Sequence, residues 1–270
     1  MLVSVLINNY NNGRFIKEAV SSVLGQSRPA DEVIVYDDGS SDDSMATLAQ
    51  FGEKVRVVHR PNWGKKPSLN QGNAIHQAFM LSRGDIIFLL DGDDGFLPGK
   101  IETYLQAFTE SDVLLVQSAT QVVNESGSII RINSINPAGD DHLALYYKHK
   151  RTNFFYQTSA LAWRRRAIER FLPIEDDGRW DVWPDVRMSR RVPFLGKVVT
   201  LSEPFTRYRV HAKNHYGVKK RPAWELLGRN LFIHQQVNSF AHACGARPVP
   251  YWRCCEFFSL LLKSALGANS

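Results

Sequence analysis

No apolar run in this sequence approaches the roughly 20 residues needed to cross a bilayer. The longest, Ile86 to Leu90 and Phe257 to Leu262, predict no transmembrane helix. Cysteine is scarce too: Cys244, Cys254 and Cys255 have no CxxC spacing, and an adjacent pair forms neither an easy mutual disulfide nor a zinc site. We read them as buried or incidental thiols. The chain opens directly on strand-like Val3 to Ile7, without a basic leader or small-residue cleavage site, so the cytoplasm is the expected compartment. Internal repeats and low-complexity linkers are lacking, and no nucleic-acid-binding motif accompanies the formal net charge of +6.

What is present is enough apolar material for one large core: 44% of 270 residues, read as one domain with an elaborated tail. Charge is divided along the chain. Residues 1–147 carry 18 acidic and 11 basic side chains, whereas residues 148–221 carry 7 and 18. The basic half suits a phosphate-bearing partner or an anionic membrane surface, or it is a solvated face balancing the acidic half.

Along the first hundred residues, strands and helices alternate. Val3 to Asn8 is β-rich and runs into the turn-forming cluster Asn8 to Gly13. Phe15, Ile16, Ala19, Val20, Val23 and Leu24 then repeat at helical spacing and stop at Gly25. Strands at 32–36, 55–58 and 85–90, with helices through Phe51 and over 68–81, continue the pattern and imply a mostly parallel sheet flanked by helices. A helix from Pro98 to about Phe108 and strands at 113–117, 121–123 and 128–132 follow. Further strands are expected near 159–163, 197–201 and 206–210, helices near 165–171 and 181–189, and two tail helices over 224–238 and 251–266.

In such sheets, ligands bind beyond the carboxyl ends of the strands. Three ends carry unusual polar groups: Asn8 to Tyr10, Asp37 with Asp38, and Asp91 to Asp94. Asp91, Asp93 and Asp94 crowd one exit, and Mg2+ or Mn2+ with hard oxygen ligands would offset their repulsion while bridging to diphosphate oxygens. Gly92 permits the tight turn. Asp37 and Asp38 are suited to accept hydrogen bonds from a nucleobase or ribose, or to cap a helix, and Tyr10 offers a flat face for stacking.

These segments, VSVLINNYNNGRFIKEAVSSVLGQS, VIVYDDGSSDDS and GDIIFLLDGDD, resemble the family 2 glycosyltransferases of the GT-A fold, in the expected order. The likeness is strong over residues 1–110 and looser to about 215. It implies a GT-A domain over 1–215, with a nucleotide-sugar half (1–110) and an acceptor half (111–215), followed by a helical extension over 216–270. Asn8, Tyr10, Asp38, Asp91 and Gly92 are then nucleotide-sugar contacts, and Asp93 and Asp94 metal ligands of a DxD element. The segment NWGKKPSLNQGNAIHQA has Leu69 where many members carry Arg, so Lys65 or Lys66 is expected to meet the donor phosphates, with Lys66 preferred.

On the acceptor side, Asp185 in WDVWPD matches the acid that deprotonates an acceptor hydroxyl in the family, with Asp181 as alternative because Pro184 replaces the usual Glu. Arg207, Arg209, His211, Asn214 and His215 recur in a pattern similar to the family's Tyr-Arg-x-His ending. His211 becomes a candidate metal or phosphate ligand and Arg209 a diphosphate contact or a structural ion pair. Trp163, Trp180 and Trp183 flank the acceptor region, as sugar-stacking faces or core. Basic stretches at 148–151, 164–166 and 219–221 suggest peripheral attachment at the inner face of the membrane.

The resemblance thus implies an inverting, metal-dependent hexosyltransferase. Its donor is a nucleotide-sugar, UDP by family frequency, and its acceptor a glycan, glycolipid or lipid-linked intermediate of surface polysaccharide assembly. No nucleic-acid partner is expected. Two alternatives stand beside it: a sugar nucleotidyltransferase, for which Asn8 to Gly13 lacks the Gly-rich phosphate loop, and a non-catalytic sugar-nucleotide-binding protein.

Overall fold

The computed structural model describes residues 1–134, 141–149, 155–176, 180–212, 222–253, 257–258 and 261–262. Its first half is built as the alternation predicts: β1 (Val3–Asn9), α1 (Ile16–Leu24), β2 (Glu32–Asp37), α2 (Ser44–Ala49), β3 (Arg56–His59), α3 (Pro67–Leu81) and β4 (Ile86–Asp91). Strand side chains alternate between faces. Val3, Val5, Ile7, Ile86, Phe88 and Leu90 therefore pack on Ile16, Ala19, Val20 and Val23 of α1. Leu6, Ile34, Tyr36, Ile87 and Leu89 face the other way, onto Leu69, Ala74, Ile75, Ala78 and Phe79 of α3. Burial on both faces explains why these strands read as continuous apolar runs.

The chain continues through β5 (Gly95–Phe96), α4 (Lys100–Ala107), β6 (Val113–Val123), β7 (Ile129–Asn133), α5 (His142–His149), β8 (Leu161–Arg164), α6 (Arg165–Ile168), α7 (Pro184–Ser189), β9 (Lys197–Arg209) and α8 (Ala223–Ala243). One sheet runs in the order β3-β2-β1-β4-β8-β6-β9-β5, with β7 added to β6. The parallel expectation holds from β3 to β4. Beyond β4 the sheet is mixed, because β8 enters antiparallel to both β4 and β6, while β6 and β9 run parallel.

Several spans differ from expectation. The strand pairs expected at 113–117 with 121–123, and at 197–201 with 206–210, are each one strand, because β6 and β9 pair along their length through register shifts that absorb the polar breaks. α6 is shorter than expected, and α7 starts at Pro184 because Pro fits the first helical turn. α8 runs five residues past 238, to Ala243. Tyr251 to Arg253 form a single 3-10 turn, and most of the expected second tail helix lies outside the described residues. Cys244 is exposed, so burial does not account for it, and Cys254 and Cys255 lie outside the described residues.

One close approach locks the base of the sheet. The Gly84 N–H donates to Ser4 Oγ at 2.8 Å, and a Cβ on Gly84 would stand 2.5 Å from the Ser4 amide nitrogen. Backbone cannot yield as a side chain does, so Gly84→Ala should cost about 1–3 kcal/mol of stability. A lowered urea midpoint with unchanged slope is the expected result.

Candidate active site

The tips of β1 and β2 form one hydrogen-bonded unit. Asn9 Nδ2 donates to Asp37 Oδ2 at 2.6 Å, the Asn11 N–H donates to Ser40 Oγ at 2.8 Å, and the Gly13 N–H to Asp42 Oδ2 at 2.8 Å. Asn11 adopts a left-handed backbone with φ 53°, a conformation that Asn tolerates better than most residues. The loop so fixed presents Asn8 and the exposed Tyr10 to a cavity of about 840 Å³ at the carboxyl ends of β1, β2 and β4.

The two acids of the β2 tip divide their work. Asp37 is wholly buried and saturated: it accepts from the Ser40 amide at 2.9 Å, Ser40 Oγ at 2.6 Å, His59 Nδ1 at 2.8 Å and Asn9. It builds the turn. Asp38 lines the cavity at 3% exposure; its Oδ2 accepts from Asn62 at 2.7 Å, while its Oδ1 is buried without a partner. Burial foremost, with the nearby Asp37 charge, pushes the Asp38 carboxyl up to about 6.

At the exit of β4, three carboxylates also part ways. Asp91 lines the cavity, where its backbone N–H donates to Ser159 Oγ at 3.0 Å and its Oδ1 accepts from Gln71 Nε2 at 2.8 Å. Burial, then repulsion from Asp93, raises it to about 7. Asp93 also lines the cavity, with Oδ2 at 2.9 Å from His211 Nε2, and His211 packs its ring on Phe15. Asp94 is outside the cavity lining, 2% exposed, with Oδ2 accepting from Ser159 Oγ at 2.6 Å and Oδ1 from the Arg209 N–H at 2.8 Å. Burial drives its carboxyl well above the usual range.

Gly92 serves close approach. Its N–H donates to Asn8 O at 2.9 Å, and a Cβ there would stand 2.6 Å from Asn9 Oδ1 and 3.2 Å from Asn8 O. The acidic turn is thereby pinned to the β1 tip. Behind it, the buried Lys100 ammonium donates to Ser159 O at 2.6 Å and Thr206 Oγ1 at 2.7 Å, and lies over the Phe96 ring. Arg209 is a structural brace: its guanidinium is buried, pairs with Glu18 at 2.6 Å and donates to Asp93 O at 3.0 Å and Glu125 O at 2.9 Å. It does not line the cavity.

α7 and α8 also contribute to the cavity lining. Asp185, in the first turn of α7, lines the cavity, and burial raises its carboxyl despite the nearby Arg190 and Arg229. Asp181 is engaged elsewhere, accepting from Ser68 Oγ on α3. Trp183 lines the cavity, Trp163 is wholly buried in the core and Trp180 packs against Gly228. Lys66 caps α3 and stands 3.5 Å from Asp176, outside the cavity lining, and Lys65 gives its N–H to Asn70 Oδ1. Asn214, His215 and most of the stretches 148–151 and 219–221 lie outside the described residues.

Among the described residues, no group of three or more His, Cys, Asp and Glu side chains is arranged to hold a metal ion. Asp91 and Asp93 are the carboxylates that would face a divalent cation in the cavity, with His211 hydrogen-bonded to Asp93. Their mutual repulsion is what such an ion would relieve.

The structure thus joins Asn8, Tyr10, Asp38, Asp91, Gly92, Asp93, His211 and Asp185 around one cavity, and leaves Asp94, Asp181 and Lys66 outside its lining. Sequence reasoning missed Gln71, Ser159, Tyr208 and the α8 residues Leu226, Arg229 and Asn230. Gln71 lies inside a recognised segment, so it was findable there; Ser159 and Arg229 reach the site only through tertiary packing. Asp38 supplies a stability test. Its rise from 3.8 to about 6 corresponds to roughly 3 kcal/mol, absent below about pH 4, growing between 4 and 6, and full above 6. Asp38→Asn should therefore unfold at higher urea than wild type at pH 7–8 and at equal urea near pH 3.5.

Comparison with known proteins agrees with this geometry. Residues 4–172 match the family described as glycosyl transferase family 2. An uncharacterized glycosyltransferase of Nostoc sp. is 32% identical over 222 residues, which are 80% of this chain and 67% of that protein. Glycosyltransferase GlyG of Streptococcus pneumoniae is 32% identical over 43% of this chain and 38% of its own length. Among solved structures, S. aureus TarS residues 1–349 in complex with UDP-GlcNAc superposes with a TM-score of 0.62 at 13% identity, over 99% of this chain and 74% of that one. Mannosyltransferase PcManGT from Pyrobaculum calidifontis, in complex with GDP-Man and Mn2+, gives 0.57 at 14% identity, over 99% and 76%. A mixed sheet of this order between helices, with the family match over most of its length, places the chain in glycosyl transferase family 2, as a glycosyltransferase of the GT-A fold.

Proposed function

We propose that this glycosyltransferase is a metal-dependent, inverting hexosyltransferase that moves a sugar from a nucleotide-sugar, UDP-linked by preference, to an acceptor hydroxyl. One observation carries the reading: Asp91, Asp93 and Asp185 line the same cavity as Tyr10 and Asp38, whose Oδ1 has no partner. Asp38 Oδ1 suits a nucleobase N–H or ribose hydroxyl, and Tyr10 a base ring. Asp91 and Asp93 would hold Mn2+ or Mg2+, with His211 hydrogen-bonded to Asp93, and the ion would supply charge neutralisation to the departing nucleoside diphosphate. The bound states of TarS and PcManGT support a nucleotide-sugar and a divalent ion.

Asp185 is the base. With its carboxyl raised by burial, it takes the proton of the acceptor hydroxyl as that oxygen attacks the anomeric carbon. Attack from the face opposite the leaving diphosphate inverts that carbon. The acceptor is a glycan, glycolipid or lipid-linked intermediate of surface polysaccharide assembly, met in the cytoplasm or peripherally at the inner face of the membrane. Among the described residues, no helix is long and apolar enough to cross a membrane.

Asp185→Asn tests the assignment. Transfer should fall by about 10²–10⁴-fold while calorimetric UDP affinity stays within twofold of wild type. Undiminished transfer would move the base elsewhere, and nucleotide binding without transfer by the wild type, across a broad acceptor panel, would leave a binding protein. NMR of the product should show the anomeric configuration opposite to that of the donor.

A further inference from the structure

Arg229 has no role in the transfer chemistry described above, yet its placement is unusual. It lies on α8, 8% exposed, in the lining of the cavity. Among the described residues its one hydrogen bond is a 3.5 Å contact from Nε to Asp181 O, and it forms no ion pair with them. A buried guanidinium so weakly satisfied is costly unless an anion completes it. Arg190, at the end of α7, and Asn230, beside Arg229, line the same cavity. Both guanidinium groups lie within electrostatic reach of Asp185.

We infer that Arg229, with Arg190 and Asn230, forms a subsite for a phosphate group carried by the acceptor, close to the hydroxyl that Asp185 deprotonates. This rests on the cavity being the site of transfer. The guanidinium fork matches the paired oxygens of a phosphate, and the Asn230 amide can donate alongside it. In the proposed function the nucleotide has its own partners at Asp38, Tyr10 and the Asp91–Asp93 turn, which line the same cavity. The subsite thus selects an acceptor that presents a phosphate ester next to its reactive hydroxyl, and disfavours a neutral glycan.

The probe is methyl phosphate, titrated by calorimetry into protein saturated with UDP and Mg2+. UDP affinity is measured first, and its absence would defeat the proposed function whatever the subsite does. With UDP in place, methyl phosphate should bind wild type, bind Arg229→Met at least tenfold more weakly, and regain part of its affinity in Arg229→Lys. The melting temperature of Arg229→Met checks that this variant folds. Should that variant fail to fold, Asn230→Asp, which sets a negative charge beside the phosphate, is expected to show the same loss. Three results would overturn the inference: no methyl phosphate binding to the UDP-saturated wild type, equal binding to Arg229→Met, or a matching loss of UDP affinity in Arg229→Met, which would assign the guanidinium to the donor.

Discussion

The site depends on the crowding of three carboxylates at the end of β4. Asp91, Asp93 and Asp94 share one turn, and burial raises the carboxyls of Asp91 and Asp94. The fold resolves this by giving each acid a different environment. Asp94 is turned inward and bound by Ser159 and the Arg209 amide. Asp93 meets His211, and Asp91 is left facing the cavity with a carboxyl raised to about 7. Under the proposed function, a cation would relieve the residual repulsion between Asp91 and Asp93.

Much of the chain beyond β4 serves that arrangement. Lys100 anchors the Ser159 carbonyl, and Ser159 in turn touches both Asp91 and Asp94. Arg209 at the end of β9 closes the turn from the far side while Glu18 on α1 holds its guanidinium. This explains the mixed half of the sheet: β8 and β9 must reach the tip of β4 to bring Ser159 and Arg209 there. The C-terminal helix is part of the same construction, since α8 supplies cavity wall through Leu226, Arg229 and Asn230.

The sequence was legible where chemistry is local. A buried strand ending in Asp-Gly-Asp-Asp, a second ending in Asp-Asp-Gly-Ser, and an Asn-rich tip on β1 announce a site by position alone, and alternation places all three on one edge. Which acid does what was not legible. Asp94 and Asp93 are neighbours with the same side chain, and distant partners, Ser159 and the Arg209 amide on Asp94 and His211 on Asp93, separate their roles. Asp181 and Asp185 likewise differ through Ser68 on a distant helix. Arg229 looked like tail because nothing in its own segment signals a cavity.

The most direct test of this account is the affinity of UDP for the protein with and without Mn2+, measured by calorimetry for wild type and for Asp93→Asn. If the Asp91 and Asp93 pair is satisfied by a cation that also grips the diphosphate, Mn2+ should tighten UDP binding by at least tenfold in wild type and by less than twofold in the variant. Equal UDP affinity with and without metal in wild type would contradict it.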